Sequence, residues 1–185
     1  MNTHFLKKML ARLFVIGAGV ALLGTAAIAN PLILDWRVIG TGTVGGTCDS
    51  LLTPALASGC TSISTGTVLG QHVGSGSYTL SLTTGSNNST GTDSDAKNSS
   101  SGKCFPANGT GVVTAANGSI INFNTVGWLC EEGAPGTPYH YNGTYRITSG
   151  TDNFASVAGG GSLAATFETG ATNVTYMKID GTIKF

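Results

Sequence analysis

Thr175-Tyr176-Met177-Lys178-Ile179-Asp180-Gly181-Thr182-Ile183-Lys184-Phe185 closes the chain, and its residues alternate. Met177, Ile179, Ile183 and Phe185 fall on one side of an extended backbone, with Lys178, Asp180, Thr182 and Lys184 on the other. A period of two with one apolar and one polar side marks a strand that faces a core on one side and water on the other. Working outward, Tyr78, Leu80 and Leu82 alternate with Thr79, Ser81 and Thr83 in the same way, as do Leu163, Ala165 and Phe167 with Ala164, Thr166 and Glu168. Bounded by Gly, Asn and Asp clusters, eight such segments are predicted, near 32–44, 62–70, 76–84, 108–116, 119–129, 141–148, 161–168 and 175–185. Short connections between them favour antiparallel neighbours. The fold class expected is all-β.

Composition agrees. Gly, Thr, Ser and Asn together make up 83 of 185 residues. Gly costs a helix backbone entropy, Ser and Asn compete for its hydrogen bonds, and Thr loses rotamer freedom there. Hydrophobic residues nevertheless reach 41% and charged residues only 10%, which excludes both a charge-rich disordered chain and a basic nucleic-acid binder.

The first residues follow the grammar of export. Lys7, Lys8 and Arg12 precede the apolar run Leu13 to Leu23, and Ala27-Ile28-Ala29 supplies a small-residue cleavage pattern. A signal peptide is expected over 1–29, with Asn30 as the new N-terminus. Gly17, Gly19, Gly24 and Thr25 dilute the run as a membrane anchor. The remaining 30–185 reads as one domain carrying six basic residues against nine acids, so neither nucleic acid nor a membrane surface is an expected partner after cleavage. The location expected is secreted or periplasmic.

Four cysteines lie in this domain. Export exposes them to oxidising conditions, and none sits in a C-x-x-C pair, so disulfides are expected rather than a metal site. Residues 104–130 read as one hairpin with Asn117-Gly118 as a two-residue type I′ turn. Pairing Ala116 with Ser119 leaves Cys104 and Cys130 one residue out of register, which a single bulge in one arm corrects. The bridges expected are therefore Cys104–Cys130 and Cys48–Cys60. Between the strands, 85–103 is nearly all Ser, Gly, Asn, Thr and Asp, and reads as a flexible loop.

Eight antiparallel strands can close a barrel, which removes exposed sheet edges, although a two-sheet β-sandwich fits the same alternation. The stretch from Gly143-Thr144-Tyr145-Arg146 through Gly150-Thr151-Asp152-Asn153-Phe154 to Gly159-Gly160-Gly161 resembles the strand, Gly-rich turn, Phe and strand element of the allene oxide cyclase and dirigent-like barrel superfamily. Ser149 and Asp152 stand where that pattern has glycines. The resemblance implies an eight-stranded antiparallel β-barrel with Phe154 plugging one end, a central cavity for a small apolar molecule, and no metal or organic cofactor. Any catalysis it implies is cofactor-independent and isomerase- or cyclase-like, and no catalytic residue carries over from it.

Chemistry-bearing residues concentrate between Cys130 and Tyr141. Glu131, Glu132 and His140 are the candidates for proton transfer, and Tyr139 and Tyr141 for lining a ligand at the barrel mouth. Asp35 and Arg37 share one strand face: inward they would form a charge pair in a pocket, and outward a surface pair, the reading favoured because Trp36 takes the opposite face with Leu34 and Val38. No nucleophile elbow is present with its flanks. Two function classes remain: a small-molecule-binding barrel, and a secreted structural or surface-interaction protein without ligand chemistry. A cavity lined by aromatics favours the first, and an interior filled by side chains the second.

Overall fold

A computed structural model describes residues 31–49, 58–85, 104–131, 138–168 and 173–185. The chain divides into two compact units, Met1–Asn30 and Pro31–Phe185, and every described residue belongs to the second. The expected signal peptide, its cleavage site, and residues 86–103 of the expected loop lie outside the described residues.

Eight strands form a closed antiparallel barrel in sequence order: β1 (Ile33–Gly46), β2 (Thr61–Gly70), β3 (Gly74–Thr84), β4 (Cys104–Ala115), β5 (Ile120–Glu131), β6 (Tyr139–Gly150), β7 (Ala158–Glu168) and β8 (Val174–Lys184). β8 returns to β1, pairing Val38 with Ile179, so no strand edge is left open. The sandwich alternative is thereby excluded. Period-two patterning is kept throughout: Tyr78, Leu80, Leu82, Leu163, Ala165, Phe167, Met177, Ile179 and Ile183 are all buried in one core cluster.

Several strands run two to four residues beyond the expected bounds, and two of these extensions bear on the site. β4 begins at Cys104 rather than near 108, although Pro106 cannot donate to a ladder. The ladder to β3 ends at Thr84 and Ala107, and Gly85 donates to the Pro106 carbonyl at 2.7 Å, so the proline stands where β3 has run out. β6 begins at Tyr139 rather than near 141. That shift places Tyr139 and His140, expected before the strand at the barrel mouth, on the strand itself.

The β4–β5 register places Cys104 directly opposite Cys130, with the disulfide between them, and Cys48 is bonded to Cys60. The extra residue lies in the turn and not in an arm. Gly118 N–H donates to the Ala115 carbonyl and Ala115 N–H to the Ser119 carbonyl, both at 2.9 Å, leaving a three-residue loop with Gly118 at φ +87°. Asn117 keeps a negative φ, so a type I′ turn is ruled out, and its side chain accepts from Ser119 N–H at 3.0 Å instead. With all four sulfurs paired, no four-thiolate site is assembled.

Aromatic side chains pack together on the inner side of the barrel toward the start of β1. Trp36 and Phe123 each meet Tyr145 edge to face, at 5.5 and 5.7 Å between centroids. Room for these rings comes from strand glycines: the Phe123 ring fills the place a side chain at Gly111 would need, and the Tyr145 hydroxyl does the same at Gly181. Phe154, in a 3-10 turn over Asp152–Phe154, is buried and stacks on Phe185 at 6.3 Å. Asp152 starts that turn at φ +49°, a left-handed conformation normally left to glycine but tolerated by Asp.

Candidate functional site

The residues expected at the rim separate. Because β6 already runs extended at Tyr139, successive side chains alternate between its two sides. Tyr139 and Tyr141 point into the core, 2% and 0% exposed, while His140 lies on the outer wall with its Nδ1 3.0 Å from Thr166 Oγ1. An imidazole and two phenols on opposite sides of one strand cannot share a substrate, so the expected convergence of Tyr139, His140 and Tyr141 does not occur. Glu131 ends β5, paired in register with Tyr139. The Glu131 side chain and all of Glu132 lie outside the described residues.

Asp35 and Arg37 are exposed on the outer face, and Trp36 between them and Val38 after them are fully buried. The inward, pocket-lining reading of this pair is therefore corrected. Arg37 engages Asp180 on β8 rather than Asp35, at 3.3 Å, and Lys178 reaches the same carboxylate at 3.3 Å. Register explains the choice: Arg37 stands directly opposite Asp180.

Inside the barrel, polar atoms serve the core. Tyr141 lies 2.7 Å from Thr125 Oγ1, which itself donates to the Thr144 carbonyl at 2.8 Å, and Tyr78 lies 2.8 Å from Ser64 Oγ. Loss of solvation pushes the Tyr141 phenol up to about 12. Tyr145 is raised by burial first and then by the Asp180 charge, and Tyr78 is raised by burial. All three remain neutral phenols over the ordinary pH range, so none is a ready proton acceptor.

The outer wall differs sharply from one side of the barrel to the other. β2, β3 and β4 contain no Asp, Glu, Lys or Arg, and β5 has only its terminal Glu131. Ion-pairing groups collect on β1 and β8. Across the neutral side, outward residues form rows perpendicular to the strands. Thr83, Asn108 and Val126 make one row, and Ser81, Thr110 and Asn124 the next. These six line an open groove of about 430 Å³. Thr83 shares a hydroxyl contact with Thr61 at 3.3 Å. Among the described residues, the side chains of Ser81, Asn108, Thr110 and Asn124 make no hydrogen bond to protein, leaving hydroxyls and carboxamides directed to solvent.

Two residues further along β5, Trp128 continues the outward row of Asn124 and Val126, half-buried and opposite Pro106 in register. The Cys104–Cys130 bridge lies just beyond on the same face. A second, smaller cleft of about 200 Å³ runs between His140, Thr166, Tyr176 and Lys178, also on the outer wall. Sequence reasoning missed the larger groove because its residues come from three strands. The available signal was a run of strands from Thr61 to Cys130 whose only charges, Asp93, Asp95, Lys97 and Lys103, fall in the connecting segment.

No family model matches the chain, and no curated protein does either.

Proposed function

We propose that the protein is an exported, non-catalytic interaction module that works through its outer wall, with its interior serving as packed core. The observation that carries this reading is the filling of the barrel. Trp36, Tyr78, Phe123, Tyr139, Tyr141, Tyr145 and Phe167 all point inward, each at most 4% exposed, and join one cluster with the aliphatic residues between them. The two clefts described above open on the outside instead. His140 stands on the opposite side of β6 from Tyr139 and Tyr141, so these three residues do not form one site.

A secreted or periplasmic location is part of the proposal. Two disulfides support it, together with the basic, apolar and small-residue order of the first 29 residues. The described residues contain no helix long and apolar enough to cross a membrane. The Ser, Thr and Asn rows outside and the apolar residues inside are also the reverse of a membrane barrel's patterning. The competing reading, a small apolar molecule held in the barrel, draws on the resemblance of residues 143–161 to allene oxide cyclase and dirigent-like barrels, and fold analogy is a weak warrant for function.

Native mass spectrometry of the exported protein tests the choice between them. The expected mass is that of residues 30–185 with two disulfides and nothing bound. A stoichiometric small molecule released on unfolding would overturn the outer-wall reading in favour of the barrel ligand.

A further inference from the structure

Resting on the reading of the outer wall as the working surface, we propose that the groove across β3, β4 and β5 binds a neutral glycan, with Trp128 as a stacking platform at one end. Four kinds of observation meet at this place.

The first is charge. An acidic or basic polymer finds no counter-charge on β2, β3 or β4 and gains nothing there by ion pairing, whereas an uncharged partner loses nothing. The second is hydrogen-bonding chemistry. Ser81, Thr83 and Thr110 carry hydroxyls and Asn108 and Asn124 carboxamides, groups that both donate and accept. Sugar hydroxyls have the same dual character, so pairing needs no change of protonation. Most of these groups lack protein partners among the described residues and are therefore available to a ligand.

The third is order. The groove is built on three neighbouring strands of a closed barrel, with neighbours in a row about 4.8 Å apart from strand to strand and the two rows about 7 Å apart along them. Short Ser, Thr and Asn side chains on such a frame lose little conformational freedom on binding, which lowers the cost of capturing a weakly interacting polymer.

The fourth is the aromatic end. Trp128 lies two residues from Val126, about 7 Å along the strand, with Pro106 opposite it. The half-buried Trp128 indole keeps part of its apolar surface accessible on this polar wall, and such a surface suits the C–H face of a sugar ring while the ring's hydroxyls reach the two rows. A second copy of this chain fits the groove less well, since Val126 is its one large apolar residue, whereas the cores of subunit interfaces are markedly apolar. The more exposed apolar pair, Ile39 opposite Leu69, lies on β1 and β2 instead.

The test is depletion of the folded protein from solution by insoluble neutral polysaccharides, cellulose and chitin among them, with insoluble pectate as the anionic control. At least one neutral polymer is expected to deplete the protein, equally at 50 mM and 1 M NaCl, because no exposed ion pairs are involved. Trp128→Ala and the double change Asn108→Ala with Asn124→Ala are each expected to lower the association constant about tenfold, equivalent to about 1.4 kcal/mol. Thr41→Ala, outward on β1, is expected to leave it unchanged, and unaltered thermal melts show that the variants fold. Failure of every neutral polymer, depletion by pectate alone, or binding indifferent to both groove variants would overturn the proposal. If the wild type then sediments as a salt-insensitive dimer, the wall serves a second copy and the glycan is wrong while the outer-wall reading stands. A small molecule found inside the barrel would instead remove that parent reading.

Discussion

The Tyr141 hydroxyl donates to Thr125 Oγ1 at 2.7 Å, because the threonine has committed its own proton to the Thr144 carbonyl at 2.8 Å. A hydroxyl has one proton to give, so the two contacts fix each other's direction. The consequences of removing either partner are therefore unequal. Tyr141→Phe leaves Thr125 still bonded and is expected to cost about 1 kcal/mol. Thr125→Val strands a fully buried phenol and is expected to cost about 2–3 kcal/mol. Urea denaturation of the two variants checks the order. Equal losses would mean that the direction assigned to the bond is wrong.

Raised phenol pKa values set a pH window. In an unfolded chain a tyrosine ionises near 10, whereas Tyr141 in the barrel does so at about 12, and Tyr145 is raised in the same direction. The folded state then holds protons that the unfolded state has lost. The stabilisation is fully present below pH 10 and is lost as pH rises from 10 through 12. Each such tyrosine contributes a fall of at most about 1.4 kcal/mol per pH unit there. Stability measured from pH 9 to 12 should fall more gently in Tyr141→Phe than in the wild type.

Gly111 and Phe123 should behave as a unit. The ring takes the space of any side chain at 111, so Gly111→Ala is expected to cost about 1–3 kcal/mol by overpacking. Phe123→Leu in the same chain should recover part of that loss while carrying its own cavity cost. A double-mutant cycle reads the coupling directly, and strict additivity would show that the ring can move aside.

The Arg37, Asp180 and Lys178 cluster is an outer-surface feature, with 64% of the Arg37 side chain exposed. Arg37→Gln and Asp35→Asn are each expected to change stability by less than about 1 kcal/mol, and by less still in high salt. A loss well above that in a denaturation series would restore an inward role for the pair.

Reduction separates the two bridges from the rest of the core. Cys104–Cys130 closes the longer stretch, 26 residues apart in sequence against 12 for Cys48–Cys60. If chain entropy dominates, replacing the first pair by serine costs about 3.5 kcal/mol and the second slightly less. Melting of the two double variants tests the ranking.

Strand positions were legible in the residues alone because period-two alternation is a local property, visible in Tyr78, Leu80 and Leu82 without knowledge of any neighbour. The Cys104–Cys130 pairing was legible for a related reason, since a hairpin with Asn-Gly near its tip aligns its own arms. Three features were not legible. β4 reaches back past the expected 108 to Cys104 because β3 ends beside Pro106, and His140 faces outward because β6 starts at Tyr139 rather than near 141. The groove required Ser81, Thr110 and Asn124, distant in sequence, to be set in one row by pairing of β3, β4 and β5. Barrel closure also set the Phe123 ring over Gly111 and the Tyr145 hydroxyl over Gly181, contacts between strands that no single segment shows. Alternation tells which residues share a face, but packing volume and cross-strand register are sums over the whole sheet, and they exist only once the strands have met.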